Sequence, residues 1–206
     1  MSYWEMLQRL MPPPRDSELT VDWDALSQSW GRTFPFDYRQ LMTAYGAGSI
    51  QNFLEIVSPE LKDVASGQGH GGMVDETATA EMLWTQVRRS PELTDITPVL
   101  IAWGVTAGAD SLCWDASGEE PDQWPVLVVA RDDAIWRRYD CGMVEFLTRT
   151  LQGDFARCPL SGTDLWGIES ALFLTPGEER RRLRAGLDPW TGEPDPYAGM
   201  YGNSTP

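Results

Sequence analysis

The chain reads as an α+β domain, a twisted, mainly antiparallel sheet flanked by helices. Three observations lead there. Helix-spaced apolar stripes come first, short strand-like runs at hairpin spacing fill about residues 98–139, and one further apolar stripe follows. With 206 residues, 42% hydrophobic and 11% aromatic, the chain can bury one substantial core, and its ten tryptophans predict that this core is aromatic-rich.

The elements follow in order. Residues 3–11 form a short helix with Trp4, Leu7 and Met11 on one face, stopped by Pro12-Pro13-Pro14. Asp22 is the N-cap of a second helix carrying Trp23, Leu26 and Trp30, and Gly31 ends it. A third helix starts near Pro35, with Tyr38, Leu41, Met42 and Tyr45 at i, i+3, i+4 and i+7, and Gly46-Ala47-Gly48 closes it. Residues 49–57 alternate as one half-buried strand, with Ile50, Leu54 and Ile56 on one face and Gln51, Phe53 and Glu55 on the other. Ser66–Gly72 is a glycine-rich surface loop. A helix with Ala80, Leu83, Trp84 and Val87 as its stripe follows and breaks at Ser90-Pro91.

Strands are expected over roughly 98–103, 111–115, 125–130 and 134–139. Val126-Leu127-Val128-Val129 is continuously apolar, so that strand is central and covered on both faces. Met143, Phe146, Leu147, Thr150 and Leu151 mark the last core helix. Three segments result: an N-terminal helix and proline-rich linker (1–21), the α+β domain (22–175), and an Arg/Pro/Gly-rich tail (176–206) made of a short helix and an extended or disordered end.

The formal net charge is −15, which disfavours nucleic acid and anionic lipid as partners and favours a basic protein. Between Arg89 and Arg131 there is no Lys or Arg, while Glu92, Asp95, Asp110, Asp115, Glu119, Glu120 and Asp122 all lie there. Three cysteines, Cys113, Cys141 and Cys158, form no CxxC and no even-numbered disulfide framework. The N-terminus carries no basic segment leading into an apolar run, and no apolar run approaches the ~20 residues of a membrane span, so a cytoplasmic location is expected.

Candidate chemistry is thin. His70, the one histidine, sits in a glycine run that gives an imidazole no fixed register, so no nucleophile–histidine system is expected. No zinc-ligand spacing is present. Tyr45-Gly46-Ala47-Gly48 follows a helix rather than a strand and has Gln51 where a dinucleotide fingerprint has its third glycine, so it reads as a helix C-cap. The adjacent pairs Glu119-Glu120 and Asp132-Asp133 point apart and make no ready acid/base pair. Arg180, Arg181, Arg182 and Arg184 form a solvated helix face paired with Glu178 and Glu179.

The segment Trp103–Pro125 is the most informative, with three tryptophans among five carboxylates and no Lys or Arg. Trp103 and Trp114 belong in the core, whereas Trp124 and Trp136 are expected at a half-exposed rim. Asp110, following Gly108-Ala109, either caps a turn through Asx-type bonds or contacts a partner directly.

The order and spacing of several motifs resemble the SUKH superfamily (Smi/Knr-type). They are Trp30-Gly31, Phe34-Pro35-Phe36-Asp37-Tyr38 and Tyr45-Gly46-Ala47-Gly48-Ser49-Ile50, then Trp103-Gly104 through Gly108-Ala109-Asp110, Cys113-Trp114-Asp115, Trp124-Pro125-Val126 with Val128, and Asp140, Phe146 and Leu147. The match spans about residues 22–155, reaching toward Leu174, and leaves the N-terminal helix and the tail outside. This resemblance implies an α+β fold with a twisted sheet, no catalytic residues, and, in bacteria, immunity proteins that neutralise a polymorphic toxin, often a nuclease or deaminase, by direct binding. Fungal relatives act as scaffolds.

The expectation is therefore a non-enzymatic, acidic protein-binding domain of immunity type, without cofactor or metal, whose partner is a basic toxin domain. The alternative is a scaffold or regulatory interaction domain with no toxin. The residues expected to meet the partner are Asp110, Asp115, Glu119, Glu120, Asp122, Trp124, Trp136 and Glu55.

Overall fold

The computed structural model describes residues 1–14, 21–59 and 72–197. The helices are α1 (Tyr3–Leu10), α2 (Trp23–Trp30), α3 (Phe36–Tyr45), α4 (Met73–Gln86), α5 (Met143–Gln152) and α6 (Pro176–Arg184). The strands are β1 (Gly48–Ile50), β2 (Leu54–Ile56), β3 (Arg88–Arg89), β4 (Leu100–Thr106), β5 (Ser111–Asp115), β6 (Val126–Ala130), β7 (Ile135–Tyr139) and β8 (Phe173–Leu174). They form one eight-stranded sheet in the order β3-β7-β6-β5-β4-β2-β1-β8, antiparallel at every pair except β3 beside β7. The expected α+β class with a mainly antiparallel sheet is what the chain adopts.

Local chemistry sets the helix ends. Ser2 and Glu5 form a reciprocal capping box on α1. Asp22 accepts the Ala25 amide at 3.0 Å, and Gly31 ends α2 in the left-handed conformation (φ 67°) that a side chain would oppose. The start of α5 is capped from elsewhere in the chain. Asp37 of α3 accepts the Val144 amide at 3.0 Å, and a Cβ added to Gly142 would sit 2.8 Å from that carboxylate.

The sheet is covered on both sides. On one face Ile50, Leu54, Ile56, Trp103, Leu112, Trp114, Val126 and Val128 pack with residues of α1, α2, α3 and α5. On the other, Leu100, Ala102, Cys113, Leu127, Val129 and Trp136 pack with Ala80 and Trp84 of α4. β6 contributes alternate residues to the two layers, which explains its unbroken apolar run. α1 is integral to the first layer: Leu7 and Met11 are fully buried, Tyr45 donates its hydroxyl to the Met11 carbonyl at 2.5 Å, and Ala171 donates its amide to the Leu10 carbonyl at 2.7 Å.

Three expectations change. The single strand over 49–57 is a hairpin, with Ile50 opposite Leu54 and with Gln51 and Asn52 both left-handed (φ 52° and 55°). Two short edge strands, β3 and β8, flank the sheet beyond the expected strands. After α6 the chain doubles back through a Leu187–Pro194 bridge, and Asp188 accepts the Trp190 and Thr191 amides. His70, most of the Ser66–Gly72 loop and residues 198–206 lie outside the described residues. Among the described residues no helix is long and apolar enough to cross a membrane.

Candidate functional site

The acidic loop joins β5 to β6, and its backbone is fixed from both sides. Arg32 donates to the Ala116 carbonyl at 2.6 Å, and the Ala116 amide reaches the Val99 carbonyl at 2.7 Å. Asp115 turns back on the loop, accepting the Ser117 amide at 3.1 Å and the Ser117 hydroxyl at 2.5 Å. Ser117 Oγ in turn accepts the Val99 amide at 3.1 Å. Pro121–Gln123 makes one 3₁₀ turn, closed by the Trp124 amide donating to the Pro121 carbonyl at 3.1 Å.

Trp124 is the loop's anchor. Its ring lies 6.4 Å from that of Trp114, its indole N–H donates to the Gly118 carbonyl at 2.8 Å, and the Arg32 guanidinium sits 5.9 Å from its ring centroid. Asp122 reaches across to α3 and accepts the Phe36 amide at 2.5 Å, occupying a donor that the helix itself leaves unpaired. What projects into water is Glu119, Glu120, Asp122 and Gln123. An open groove runs beside the loop, walled by Glu119, Glu120, Trp124 and Arg138. Arg138 bonds Asp140 at 2.6 Å and stands 4.0 Å from Asp115.

The eight residues expected to meet a partner do not form one surface. Trp124 and Trp136, expected at a half-exposed rim, are buried at 3% and 0% exposure. Trp136 faces the α4 layer and packs edge-on against Trp84 at 5.3 Å. Asp110 takes neither of its two expected roles: it is too buried for direct contact, and its carboxylate bonds two distant segments rather than amides of its own turn. It is fully buried, and its carboxylate accepts the Arg131 amide (2.8 Å), the Ser161 amide (2.9 Å) and the Ser161 hydroxyl (2.5 Å). Asp115 is also buried and turned inward. Glu55 lies opposite Ser49 and Val105, and Val105 pairs with Ser111, at the far end of β5 from the loop. The loop therefore gathers Asp115, Glu119, Glu120, Asp122 and Trp124, and of these Glu119, Glu120 and Asp122 are exposed.

Two supporting residues were not singled out as site residues in the sequence. Arg32 carries no local signal, because it acts through contacts that only the fold creates. Asp37 lies within the Phe34–Tyr38 motif, and burial raises its carboxyl above the ordinary Asp value, with the neighbouring Asp122 charge adding to the rise. Burial also raises the Cys113 and Cys158 thiols, and pushes that of Cys141 up to about 12, so all three are protonated at neutral pH. Asp133 of the Asp132-Asp133 pair is held low by Arg137, and it also pairs with Arg157 at 3.2 Å. Among the described residues no group of three or more His, Cys, Asp or Glu side chains converges as metal ligands do. Set against protein-family models, curated proteins and solved structures, the chain matches none.

Proposed function

We propose that this chain is a cytoplasmic, non-enzymatic binding protein of SUKH immunity type that neutralises a basic toxin domain by direct contact at the β5–β6 loop. One observation carries the reading. Glu119, Glu120 and Asp122 stand exposed on a loop fixed by Arg32, Trp124 and the Asp122–Phe36 bond, in a stretch with no Lys or Arg between Arg89 and Arg131. A pre-organised loop loses little conformational freedom on binding, and exposed carboxylates steer a cationic partner and discriminate against acidic ones. The motif series supports the family assignment. The cysteines and Asp133, each protonated or ion-paired, offer little to covalent or acid–base chemistry.

The test is co-expression with the product of each gene adjacent to this one. Cell survival and co-elution in gel filtration are expected. A toxin that stays lethal and forms no complex overturns the reading.

A further inference from the structure

We infer that Phe36 is the apolar anchor of the same interface, and that the segment it receives is a basic protein strand or helix laying an aliphatic or aromatic side chain across Phe36 and setting Lys or Arg opposite Glu119 and Glu120. The inference rests on the binding role proposed above and names the partner's chemistry.

Phe36 is 57% exposed although the aromatic residues flanking it, Phe34 and Tyr38, are 1% and 0% exposed. Its exposure is therefore not a want of core. Phe36 opens α3, and its backbone amide is the donor that Asp122 accepts at 2.5 Å, so the first residue of α3, which carries the ring, is tied directly to the acidic loop. Beside the ring lies a shallow apolar groove walled by the half-buried Trp4 and Trp23. Trp23 is itself packed on Phe34 and Tyr38, with ring centroids 5.9 and 6.0 Å away, so the groove wall is rigid. Arg39, the cation among the lining residues, has its guanidinium 6.0 Å from the Phe36 centroid and steadies that ring.

The electrostatics choose the occupant. A second copy of this chain meeting the same face about a two-fold axis would bring two acidic loops toward one another, in a protein of net charge −15. A neutral apolar segment would leave Glu119 and Glu120 unused. A basic segment with an apolar side chain satisfies both halves of the surface, with the ring giving hold and the carboxylates giving encounter rate and register.

The experiment uses the full chain and two short synthetic peptides, one with leucine flanked by lysine and arginine, the other with serine in place of leucine. Binding is followed by tryptophan fluorescence and by amide shifts in NMR. The leucine peptide is expected to shift amides at Phe36 and at Glu119–Asp122, and to bind at least about tenfold more tightly than the serine peptide. Phe36→Ser should erase that difference, Phe36→Leu should keep it, and Glu119→Gln with Glu120→Gln should weaken both peptides and flatten their salt dependence. Equal binding of the two peptides to the unaltered chain, or an unchanged preference in Phe36→Ser, overturns the proposal and leaves only an acidic counter-surface. The peptide comparison needs no variant to fold. The expected peptide pattern combined with no toxin neutralised among the products of the adjacent genes would uphold the surface and refute the immunity role.

Discussion

Removing the buried Asp110 carboxylate should destabilise the chain more than removing the exposed carboxylate of Glu119 or Glu120. Asp110 is fully buried where the β4–β5 turn, the β6–β7 turn and the Ser161 segment meet, and its side chain accepts from Arg131 N, Ser161 N and Ser161 Oγ. In Asp110→Ala, two backbone amides lose their acceptor, at about 1–3 kcal/mol each, while the Ser161 hydroxyl can rotate. The expected loss is about 2–6 kcal/mol, a fall in Tm of roughly 4–24 °C for a chain of this size. Asp110→Asn is the sharper variant. One oxygen can still accept the Arg131 amide and the Ser161 hydroxyl, but the new NH₂ then faces the Ser161 amide, donor against donor. About 1.5–3 kcal/mol should go, less than in the alanine variant. Urea melts give both values. A loss below about 1 kcal/mol in Asp110→Ala would refute the accounting. So would a partner-binding defect in a variant of undiminished stability, because it would restore direct contact as the role of Asp110.

Further outcomes follow from the same geometry. Gly48→Ala should cost about 1–3 kcal/mol in thermal or urea melts, because its Cβ would stand 2.3 Å from the Leu174 carbonyl and force β8 off the sheet edge. Trp124→Ala should cost about 3–5 kcal/mol, and Trp124→Phe, which loses the bond to Gly118, roughly 1 kcal/mol beyond the volume change; a Trp124→Ala melt matching the parent would mean the loop is not anchored there. Because Asp37 has a folded-state carboxyl raised above its unfolded value, the folded chain binds the proton more tightly. The stability it contributes is complete below about pH 3.9, the ordinary Asp value, and is lost as pH rises through the folded value. Asp37→Asn should therefore remove a fall in stability over that window, read as urea midpoints against pH; an unaltered profile would contradict the assignment.

How far the sequence disclosed this fold varies by element. Asp22, Gly31 and the Tyr38–Tyr45 stripe announce their helices because cap chemistry and 3.6-residue spacing are local, and the unbroken Val126–Val129 run announces a strand covered on two faces. The β1–β2 hairpin was hidden because pairing Ile50 with Leu54 preserves the even-numbered parity of Ile50, Leu54 and Ile56 that a single strand would show. Its turn uses Gln51 and Asn52 in left-handed geometry rather than a glycine pair. β3 and β8, at two residues each, are too short to have a period. At the site, the acidity of Glu119, Glu120 and Asp122 was legible, whereas the burial of Trp124 and Trp136 was not. Trp136 precedes two arginines, yet strand alternation turns it under α4; Trp124 is covered by Arg32, which lies far away in the chain. The exposure of Phe36 depends on where α3 begins and on Asp122, so only the fold reveals it.

Toxin rescue with matched charge reversals decides whether the β5–β6 loop is the proposed surface that neutralises a basic toxin. The parent chain, Glu119→Lys with Glu120→Lys, and a control pair, Glu169→Lys with Glu193→Lys, are each co-expressed with a toxin that the parent chain neutralises. All four positions are exposed and the two double variants change net charge equally. The loop variant should lose rescue and associate with the toxin at least about tenfold more slowly at low salt, while the control retains rescue. Equal rescue by both double variants, or equal loss in both, would contradict the claim.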